Sequence, residues 1–280
     1  MFIQPVDYRS PDAAKKFTES LHNTGFGVLT NHPLSQTRLE TIYKEWYAFF
    51  LTDAKSKYQF DPSLMDGYFS PKISETAKGN TKRDLKEFYH IYPQGRYPAE
   101  VSDAAHQYYQ EGSALAAKLL AWVEEYTPAD IKAKYSMPLP DMITGSDHTL
   151  LRVLHYPPLV GDEEPGSVRA AAHGDINLLT LLPAATQAGL QVLGKDEAWH
   201  DVPCDFGMLI VNIGDMLDEA SEGYYPSTIH RVLNPTGEDA KKSRISLPLF
   251  LHPRPDVKLS ERHTAGTYLT ERLIELGMKK

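Results

Sequence analysis

Residues 173–182, HGDINLLTLL, join a polar triplet to an apolar run that has the composition of a buried β-strand. Short runs of this kind, separated by turn residues, fill the chain from about Thr149 onward. They cover residues 150–154, 177–182, 189–193, 208–213 and 228–233, followed by the longer run 244–251. Because no long helix separates these runs, they cannot form a parallel sheet of βαβ units. We therefore predict antiparallel pairing in a jelly-roll barrel.

The N-terminal half has a helical pattern instead. Helices are predicted at about residues 11–23, around 39–50 and at 102–126, and a strand at 25–29. Ser10 is the predicted N-cap of the first helix and Gly25 its C-cap. A last helix is expected at 266–276. The segments 67–69 and 87–89 are too short to assign.

The predicted fold class is α+β with a mainly β core. We expect a single domain over residues 1–280, in which a helix-rich region, 1–127, packs on a jelly-roll core at 146–253 that carries the functional site. The final segment, 264–280, is expected to form the C-terminal helix. Neither repeats nor a Ser/Gly-rich or charge-rich linker divides the sequence.

Composition excludes several classes of protein. The chain has 280 residues, of which 41% are hydrophobic and 24% charged, as in an ordinary globular protein. Its formal net charge of −8 repels polyanions, so we expect no nucleic-acid partner. The single cysteine, Cys204, excludes an intrachain disulfide framework. No apolar stretch approaches the roughly 20 residues that cross a bilayer, and the start lacks a secretory signal. We predict a cytoplasmic protein without a membrane partner.

Two side chains of the type that binds metals, His173 and Asp175, are separated by Gly174. On an extended segment they face the same way, and the glycine leaves the approach to them uncrowded. His230 lies in a later run that suits a strand, and it completes a set of two histidines and one carboxylate. Such a set leaves about three adjacent positions of an octahedral ion open for substrate and dioxygen, which is typical of non-haem iron(II). Zinc hydrolases use similar donors but leave one position open.

Arg244 and Ser246 open the last predicted strand and share one of its faces. A guanidinium and a hydroxyl on one inward face are suited to binding a carboxylate in a pocket of low dielectric constant. Taken alone, Arg244 would more simply be an exposed arginine beside Lys241 and Lys242. Along the sequence, however, the pair His173 and Asp175 is followed by His230 and then by Arg244. This order favours a carboxylate-binding role for Arg244 over an exposed position.

These motifs together resemble the isopenicillin N synthase-like family of iron(II)- and 2-oxoglutarate-dependent oxygenases. The resemblance covers nearly the whole chain and is most specific in its C-terminal half. The segments that carry it there are 173–175, 178–181, 189–192, Trp199, 211–215, 230–232 and 244–246. In the N-terminal half, Gly25-Phe26, Asn31-His32, Phe49-Phe50, Lys55, Gly67-Tyr68 and Lys86-Glu87 also resemble the family.

The resemblance implies a double-stranded β-helix, which is a cupin-like jelly-roll barrel, with flanking helices. It implies that His173, Asp175 and His230 bind Fe(II). It further implies that Arg244 and Ser246 bind the distal carboxylate of 2-oxoglutarate.

In such enzymes a tyrosine before a double proline often assists the cosubstrate, and Tyr156 stands there. Leu154 replaces the asparagine of many plant members.

The implied reaction consumes dioxygen and 2-oxoglutarate, releases succinate and carbon dioxide, and oxidises a small-molecule substrate. Hydroxylation is the expected outcome, while desaturation, ring closure and epoxidation use the same oxidant. Two other functions stay open at this point. One is an iron(II) oxidase of this fold that does not use 2-oxoglutarate, and the other is a jelly roll that binds a ligand without oxidising it.

The sequence does not identify the substrate or the oligomeric state. Candidate substrate residues are Phe250 and His252, which share the strand parity of Arg244, and Tyr89, His155 and Arg169, each of which has a structural alternative. Asp215 is interpreted as a turn residue beside Gly214, not as a metal ligand. Cys204 is interpreted as a partly buried free thiol.

Overall fold

The computed structural model describes residues 3–71, 73, 84–184, 186 and 188–275. The strands are β1 Pro5–Asp7, β2 Phe26–Thr30, β3 Gly67–Phe69, β4 Glu87–Ile91, β5 Leu150–Tyr156, β6 Ala170–His173, β7 Leu179–Pro183, β8 Leu190–Leu193, β9 Trp199–Asp201, β10 Leu209–Ile213, β11 His230–Val232, β12 Arg244–Ser246 and β13 Leu249–Leu251. The helices are α1 Ala13–Thr24, α2 Gln36–Phe50, α3 Ala104–Glu125, α4 Ala129–Lys132, α5 Leu139–Ile143, α6 Asp215–Ala220 and α7 Ala265–Glu275. Short 3-10 helices cover Asp53–Tyr58 and Gly237–Lys241.

The strands form two sheets. The larger, nine-stranded sheet has the order β1-β2-β10-β7-β13-β5-β4-β3, and β12 also pairs with β5. The smaller sheet has the order β6-β11-β8-β9. The pairings of the described strands are antiparallel apart from β1 with β2, which is parallel. The predicted double-stranded β-helix with a mainly β core is confirmed, and the parallel pair β1–β2 is an addition to the predicted antiparallel pairing.

Alternation along β2 and β10 divides their apolar residues between two cores. On β2 and β10, Phe26, Val28 and Ile210 pack in the core between the two sheets. Their neighbours Leu209 and Val211 point the other way, into the core beneath the helices. Both faces of the larger sheet are therefore buried at these strands, which explains why β10 is apolar on both faces apart from Asn212.

The helical layer covers the outer face of the larger sheet. The longest helix, α3, contacts β13 closely, because a Cβ on Gly112 would lie 2.7 Å from a side-chain carbon of Leu249. The hydroxyl of Tyr108 on the same helix donates to the carbonyl of Leu247 over 3.2 Å. On α2, the hydroxyl of Tyr43 donates to the carbonyl of Ala184 over 3.0 Å. These bonds hold the helices against the barrel.

The predicted helices lie close to the observed ones, with differences at their ends. The first begins at Ala13 with Asp12 as N-cap, so the expectation that Ser10 is the cap was wrong. Gly25 does cap that helix, in the left-handed conformation. The predicted end of the last helix, Leu276, lies outside the described residues. The unassigned segments 67–69 and 87–89 are the paired strands β3 and β4.

Two further predictions need correction. The single strand predicted at 244–251 is interrupted at Leu247 and Pro248 and forms β12 and β13, because proline cannot donate to a strand ladder. Asp215 is not a turn residue but the first residue of α6, whose N-cap is Gly214. The backbone amide of Asp215 donates to the carbonyl of Asp175 over 2.7 Å. The start of α6 therefore supports the segment that carries the candidate metal ligand.

No helix among the described residues is both long and apolar enough to span a membrane. The cytoplasmic location, the absence of nucleic-acid partners and the division into regions 1–127, 146–253 and 264–280 stay predictions.

Gly214 provides a test of the close packing beside the site. A Cβ at this position would lie 2.0 Å from the carbonyl oxygen of Asn177, a backbone atom that cannot move alone. We expect Gly214→Ala to lower the free energy of unfolding by about 3 kcal/mol, measured by urea denaturation. The control is Gly145→Ala, which has open space around it but a left-handed backbone, and should cost about 1 kcal/mol. An equal cost for the two variants would contradict this account of the packing.

Candidate active site

His173, Asp175 and His230 come together although they lie on separate segments. His173 ends β6, and His230 begins β11 directly opposite it in the antiparallel pair. Asp175 follows two residues after β6. Its Oδ1 lies 3.9 Å from Nε2 of His173 and 3.7 Å from Nε2 of His230. The three ligand atoms all lie within 4.8 Å of one another, so one metal ion could contact all of them.

Both imidazoles are oriented by backbone carbonyls. Nδ1 of His173 lies 2.7 Å from the carbonyl of Ala171, and Nδ1 of His230 lies 3.1 Å from the carbonyl of Thr228. A hydrogen bond to a carbonyl requires a proton on Nδ1, which leaves the Nε2 lone pair for a metal. Burial, and then the neighbouring His230, lower the pKa of His173 to about 4. The ring is therefore neutral at neutral pH, as a metal ligand must be.

The carboxylate of Asp175 is oriented by the larger sheet. Its Oδ2 accepts hydrogen bonds from the hydroxyl of Thr180 over 2.6 Å and from the side-chain amide of Asn212 over 2.8 Å. Burial alone would raise the pKa of Asp175, but His230, His173 and these two donors outweigh burial and hold the pKa below its usual value. The ionised Oδ1 therefore remains directed at the two histidines.

The predicted carboxylate-binding residues lie on the opposite wall. Arg244 pairs with Tyr156, and Ser246 with Leu154, in the register of β12 and β5. Paired residues of an antiparallel ladder point to the same side, and all four side chains are buried and face one cavity. The Arg244 guanidinium lies 5.1 Å from the centroid of the Tyr156 ring. Leu154 therefore sits among the polar groups, as a spacer without hydrogen-bonding capacity.

A cavity of about 70 Å³ separates the two walls, several times the roughly 10–15 Å³ that one water needs. Its lining joins the metal triad, Arg244, Ser246 and Tyr156 to apolar side chains of both sheets. The further lining residues are Phe26, Lys86, Arg152, Leu154, Ala170, Thr180, Leu182, Leu190, Asn212, Val232, Pro248 and Phe250. The sequence-predicted metal and carboxylate residues thus share a single space.

Of the five candidate substrate residues, one lines the cavity and the other four do not. Phe250 lines the cavity, whereas His252 is not among its lining residues. Tyr89 packs against Trp46 under the helices. His155 faces away from the cavity, with Nδ1 2.7 Å from Glu87 and Nε2 3.0 Å from Ser243.

Arg169 is fully buried behind the ring of Tyr156. Tyr89, His155 and Arg169 are therefore not among the described residues that line the cavity.

The structure also places Cys204 and Gly174, for which the sequence suggested roles. Cys204 is a free, half-buried thiol, and burial raises its pKa. Gly174 does not keep the metal approach open, because a Cβ there would lie 3.3 Å from side-chain oxygens of Asp215 and Ser227. Its role is to let the triad segment pack closely against α6 and the chain before β11.

Four polar residues of the cavity lining were not predicted as site residues from the sequence: Lys86, Arg152, Thr180 and Asn212. Thr180 and Asn212 interrupt apolar strands, LTLLP and LIVNI, and a polar residue on a fully buried strand signals a specific hydrogen bond. Lys86 and Arg152 carried no comparable signal.

Comparison with known proteins agrees with this geometry. The 2OG-Fe(II) oxygenase superfamily matches residues 147–253, and the family described as non-haem dioxygenase in morphine synthesis N-terminal matches residues 3–111. A bi-functional coumaroyl CoA and feruloyl CoA ortho-hydroxylase of Ipomoea batatas is 28% identical over 264 residues, which cover 91% of this chain and 70% of that protein.

Solved structures extend the likeness to the whole chain. A Shewanella oneidensis protein described as an oxygenase is 56% identical, with a TM-score of 0.91 and coverage of 99% of both chains. A Caulobacter crescentus protein assigned to the 2OG-Fe(II) oxygenase family is 31% identical, with a TM-score of 0.81 and coverage of 98% of this chain and 99% of that one. The chain belongs to the 2OG-Fe(II) oxygenase superfamily and is an iron(II)- and 2-oxoglutarate-dependent oxygenase of the isopenicillin N synthase-like type.

Proposed function

We propose that His173, Asp175 and His230 bind the iron and that Arg244, Ser246 and Tyr156 bind 2-oxoglutarate in a hydroxylase of small organic molecules. The observation that carries this assignment is the position of Asp175 Oδ1, 3.7 and 3.9 Å from two imidazole nitrogens whose lone pairs are left free. Two imidazoles and one carboxylate are the donor set that suits iron(II) with open positions for other ligands.

The oxidation of a substrate requires iron(II) and 2-oxoglutarate in the same site. When bound, iron(II) and 2-oxoglutarate supply the oxidising power, since dioxygen and 2-oxoglutarate are converted to succinate and carbon dioxide as one oxygen atom reaches the substrate. The protein's own task is to bind, orient and exclude water.

Arg244 and Ser246 orient the cosubstrate. The buried guanidinium and hydroxyl, on one face of β12, can bind the distal carboxylate, with charge assistance from Arg244. Tyr156, directly across the ladder, offers a further hydroxyl. The Leu154 side chain cannot form hydrogen bonds, so it reduces the number of hydrogen-bonded orientations that the distal carboxylate can adopt.

Asp175 and the apolar lining control the rest of the site. Thr180 and Asn212 donate hydrogen bonds to Oδ2 of Asp175, which leaves Oδ1 to bind the metal. Phe26, Leu182 and Leu190 close the sides of the cavity and keep water from the reacting centre. Phe26 and Lys86 of region 1–127 line the cavity directly, and the helices α2 and α3 of that region hold the larger sheet, which supports treating regions 1–127 and 146–253 as one domain.

Arg244→Ala tests the cosubstrate assignment. Loss of the guanidinium should weaken 2-oxoglutarate binding at least about thirty-fold, because the carboxylate loses its buried charge partner. The measurement is the weak visible charge-transfer band that forms when 2-oxoglutarate is added anaerobically to the iron(II) protein. Iron binding itself should persist.

The control for Arg244→Ala is Arg231→Ala, because Arg231 contacts Gln191 and the Trp199 ring instead of the cavity. If Arg244→Ala bound 2-oxoglutarate with the affinity of the wild-type protein, as followed by the charge-transfer band, Arg244 would not be part of the carboxylate site.

Asn212→Leu tests how Asp175 is held. Removing the amide frees Oδ2 and lets the carboxylate rotate, so iron(II) affinity should fall by about 10–100-fold, measured by anaerobic competition with a chelator. Gln191→Leu, which removes a similar amide from the outer surface of β8, should leave affinity unchanged. Iron(II) binding by Asn212→Leu that is as tight as in the wild-type protein would show that the amide does not orient Asp175.

A further inference from the structure

The strand β12 begins at Arg244, the residue assigned to the distal carboxylate of 2-oxoglutarate. Its partner in the ladder is Tyr156, the last residue of β5. Pro157 and Pro158 follow Tyr156, and a proline has no N–H to donate to a ladder. Groups other than a regular strand ladder must therefore hold the chain just before Arg244.

Two buried side chains contact this part of the chain. A guanidinium nitrogen of Arg169 donates to the backbone carbonyl of Lys242 over 3.0 Å. Nε2 of His155 lies 3.0 Å from Oγ of Ser243, the residue next to Arg244. Because the His155 ring faces away from the cavity, it reaches the neighbour of Arg244 without occupying any space that a ligand could use.

The His155 ring is itself fixed by its surroundings. Its Nδ1 lies 2.7 Å from Oε1 of Glu87, which is its partner in the pairing of β4 with β5. The ring stacks on that of Phe50 in α2, with the two centroids 5.4 Å apart and the planes inclined by 18°. The side chains of His155 and Glu87 are 3% and 7% exposed. Nε2 of His155 is therefore kept directed at Ser243.

Glu87 is anchored in turn by donors from the N-terminal region. Its Oε2 accepts hydrogen bonds from the hydroxyl of Tyr68 and, over 3.0 Å, from Nζ of Lys55. Burial alone would raise the pKa of Glu87, but its three hydrogen-bond partners outweigh burial and hold the pKa below its usual value. An ionised carboxylate accepts hydrogen bonds and cannot donate them, so Nδ1 of His155 carries a proton.

The contact between His155 and Ser243 is a hydrogen bond whatever the charge of the ring. In the neutral ring, Nε2 accepts from the Ser243 hydroxyl, and in a doubly protonated ring it donates to the hydroxyl oxygen. A guanidinium binds a carboxylate most strongly through two parallel hydrogen bonds, which require an exact position. A shift at Ser243 would therefore be felt by the adjacent Arg244.

We propose that His155 and Ser243 are positioning residues for 2-oxoglutarate: their hydrogen bond fixes the start of β12 and so holds the Arg244 guanidinium where it meets the distal carboxylate. Neither residue is among the described residues that line the cavity, so both act through Arg244. This inference rests on the proposed function, because it takes Arg244 as the residue that binds the distal carboxylate.

The experiment compares 2-oxoglutarate with 2-oxopentanoate, which has the same chain length but a methyl group in place of the distal carboxylate. Each acid is titrated anaerobically into the iron(II) protein, and its binding is followed by the charge-transfer band. The Kd of 2-oxopentanoate divided by that of 2-oxoglutarate, here called the carboxylate ratio, measures what the distal carboxylate contributes to binding. A general loosening of the site would weaken both acids and leave this ratio unchanged.

Ser243→Ala should lower the carboxylate ratio about threefold to tenfold, the range expected for the loss of one hydrogen bond. His155→Asn keeps an amide near the position of Nδ1 but has no group at Nε2, so it should lower the ratio by a similar factor. His155→Gln places its amide near the position of Nε2 and should retain most of the ratio. Since both residues act through one bond, Ser243→Ala combined with His155→Asn should cause no further loss beyond about twofold.

Two further variants calibrate the measurement. Arg244→Ala should abolish the preference for 2-oxoglutarate, because it removes the guanidinium itself. Ser102→Ala is the matched control, since it removes a serine hydroxyl that donates to another side chain, Glu45, between α2 and the start of α3. It should keep the wild-type ratio.

Two results would overturn the positioning role while leaving the proposed function intact. One is a wild-type carboxylate ratio in Ser243→Ala although Arg244→Ala has lost the preference, and the other is a lower ratio in His155→Gln than in His155→Asn. If Arg244→Ala itself kept the wild-type ratio, the assigned carboxylate site would be wrong and the positioning role would fall with it. The two failures are therefore distinguishable, and the mild Ser243→Ala variant decides the question even if the His155 variants do not fold.

Discussion

The hydrogen bonds from Thr180 and Asn212 to Asp175 are the interaction on which the site depends. Both donors belong to the larger sheet, and both histidines belong to the smaller one. Asp175 therefore links the two layers, with Oδ2 bonded to one sheet and Oδ1 facing the other. A buried carboxylate is costly unless it is hydrogen-bonded and paired with a positive charge. This cost explains why polar residues occur within strands whose other residues are apolar.

The two sheets also divide the binding functions of the cavity between them. The smaller sheet supplies the imidazoles, and β5 and β12 of the larger sheet supply the groups assigned to 2-oxoglutarate. Strand register fixes their order: Tyr156 with Arg244, Leu154 with Ser246, then Arg152 farther along. The helices make no direct contribution to the described lining, but they bury the outer face of the larger sheet and so keep that register in place.

Strand alternation and residue chemistry were sufficient to predict the β core and the residues of the triad, because short apolar runs and metal-ligand types are local signals. What the sequence could not supply is three-dimensional proximity. Lys86 precedes a segment too short to assign, and it reaches the cavity because β4 pairs with β5. Gly174 was given the wrong role because its neighbours, Asp215 and Ser227, are distant in sequence. The break at Pro248 follows from proline chemistry and could have been predicted.

Anomalous X-ray scattering at the iron edge, from crystals grown anaerobically with iron(II) and 2-oxoglutarate, would locate the iron relative to the three assigned ligands. We expect one anomalous peak within bonding distance of Nε2 of His173, Nε2 of His230 and Oδ1 of Asp175. We also expect the distal carboxylate of 2-oxoglutarate to contact Arg244 and Ser246. A peak elsewhere, or iron bound through Oδ2 of Asp175, would contradict these assignments.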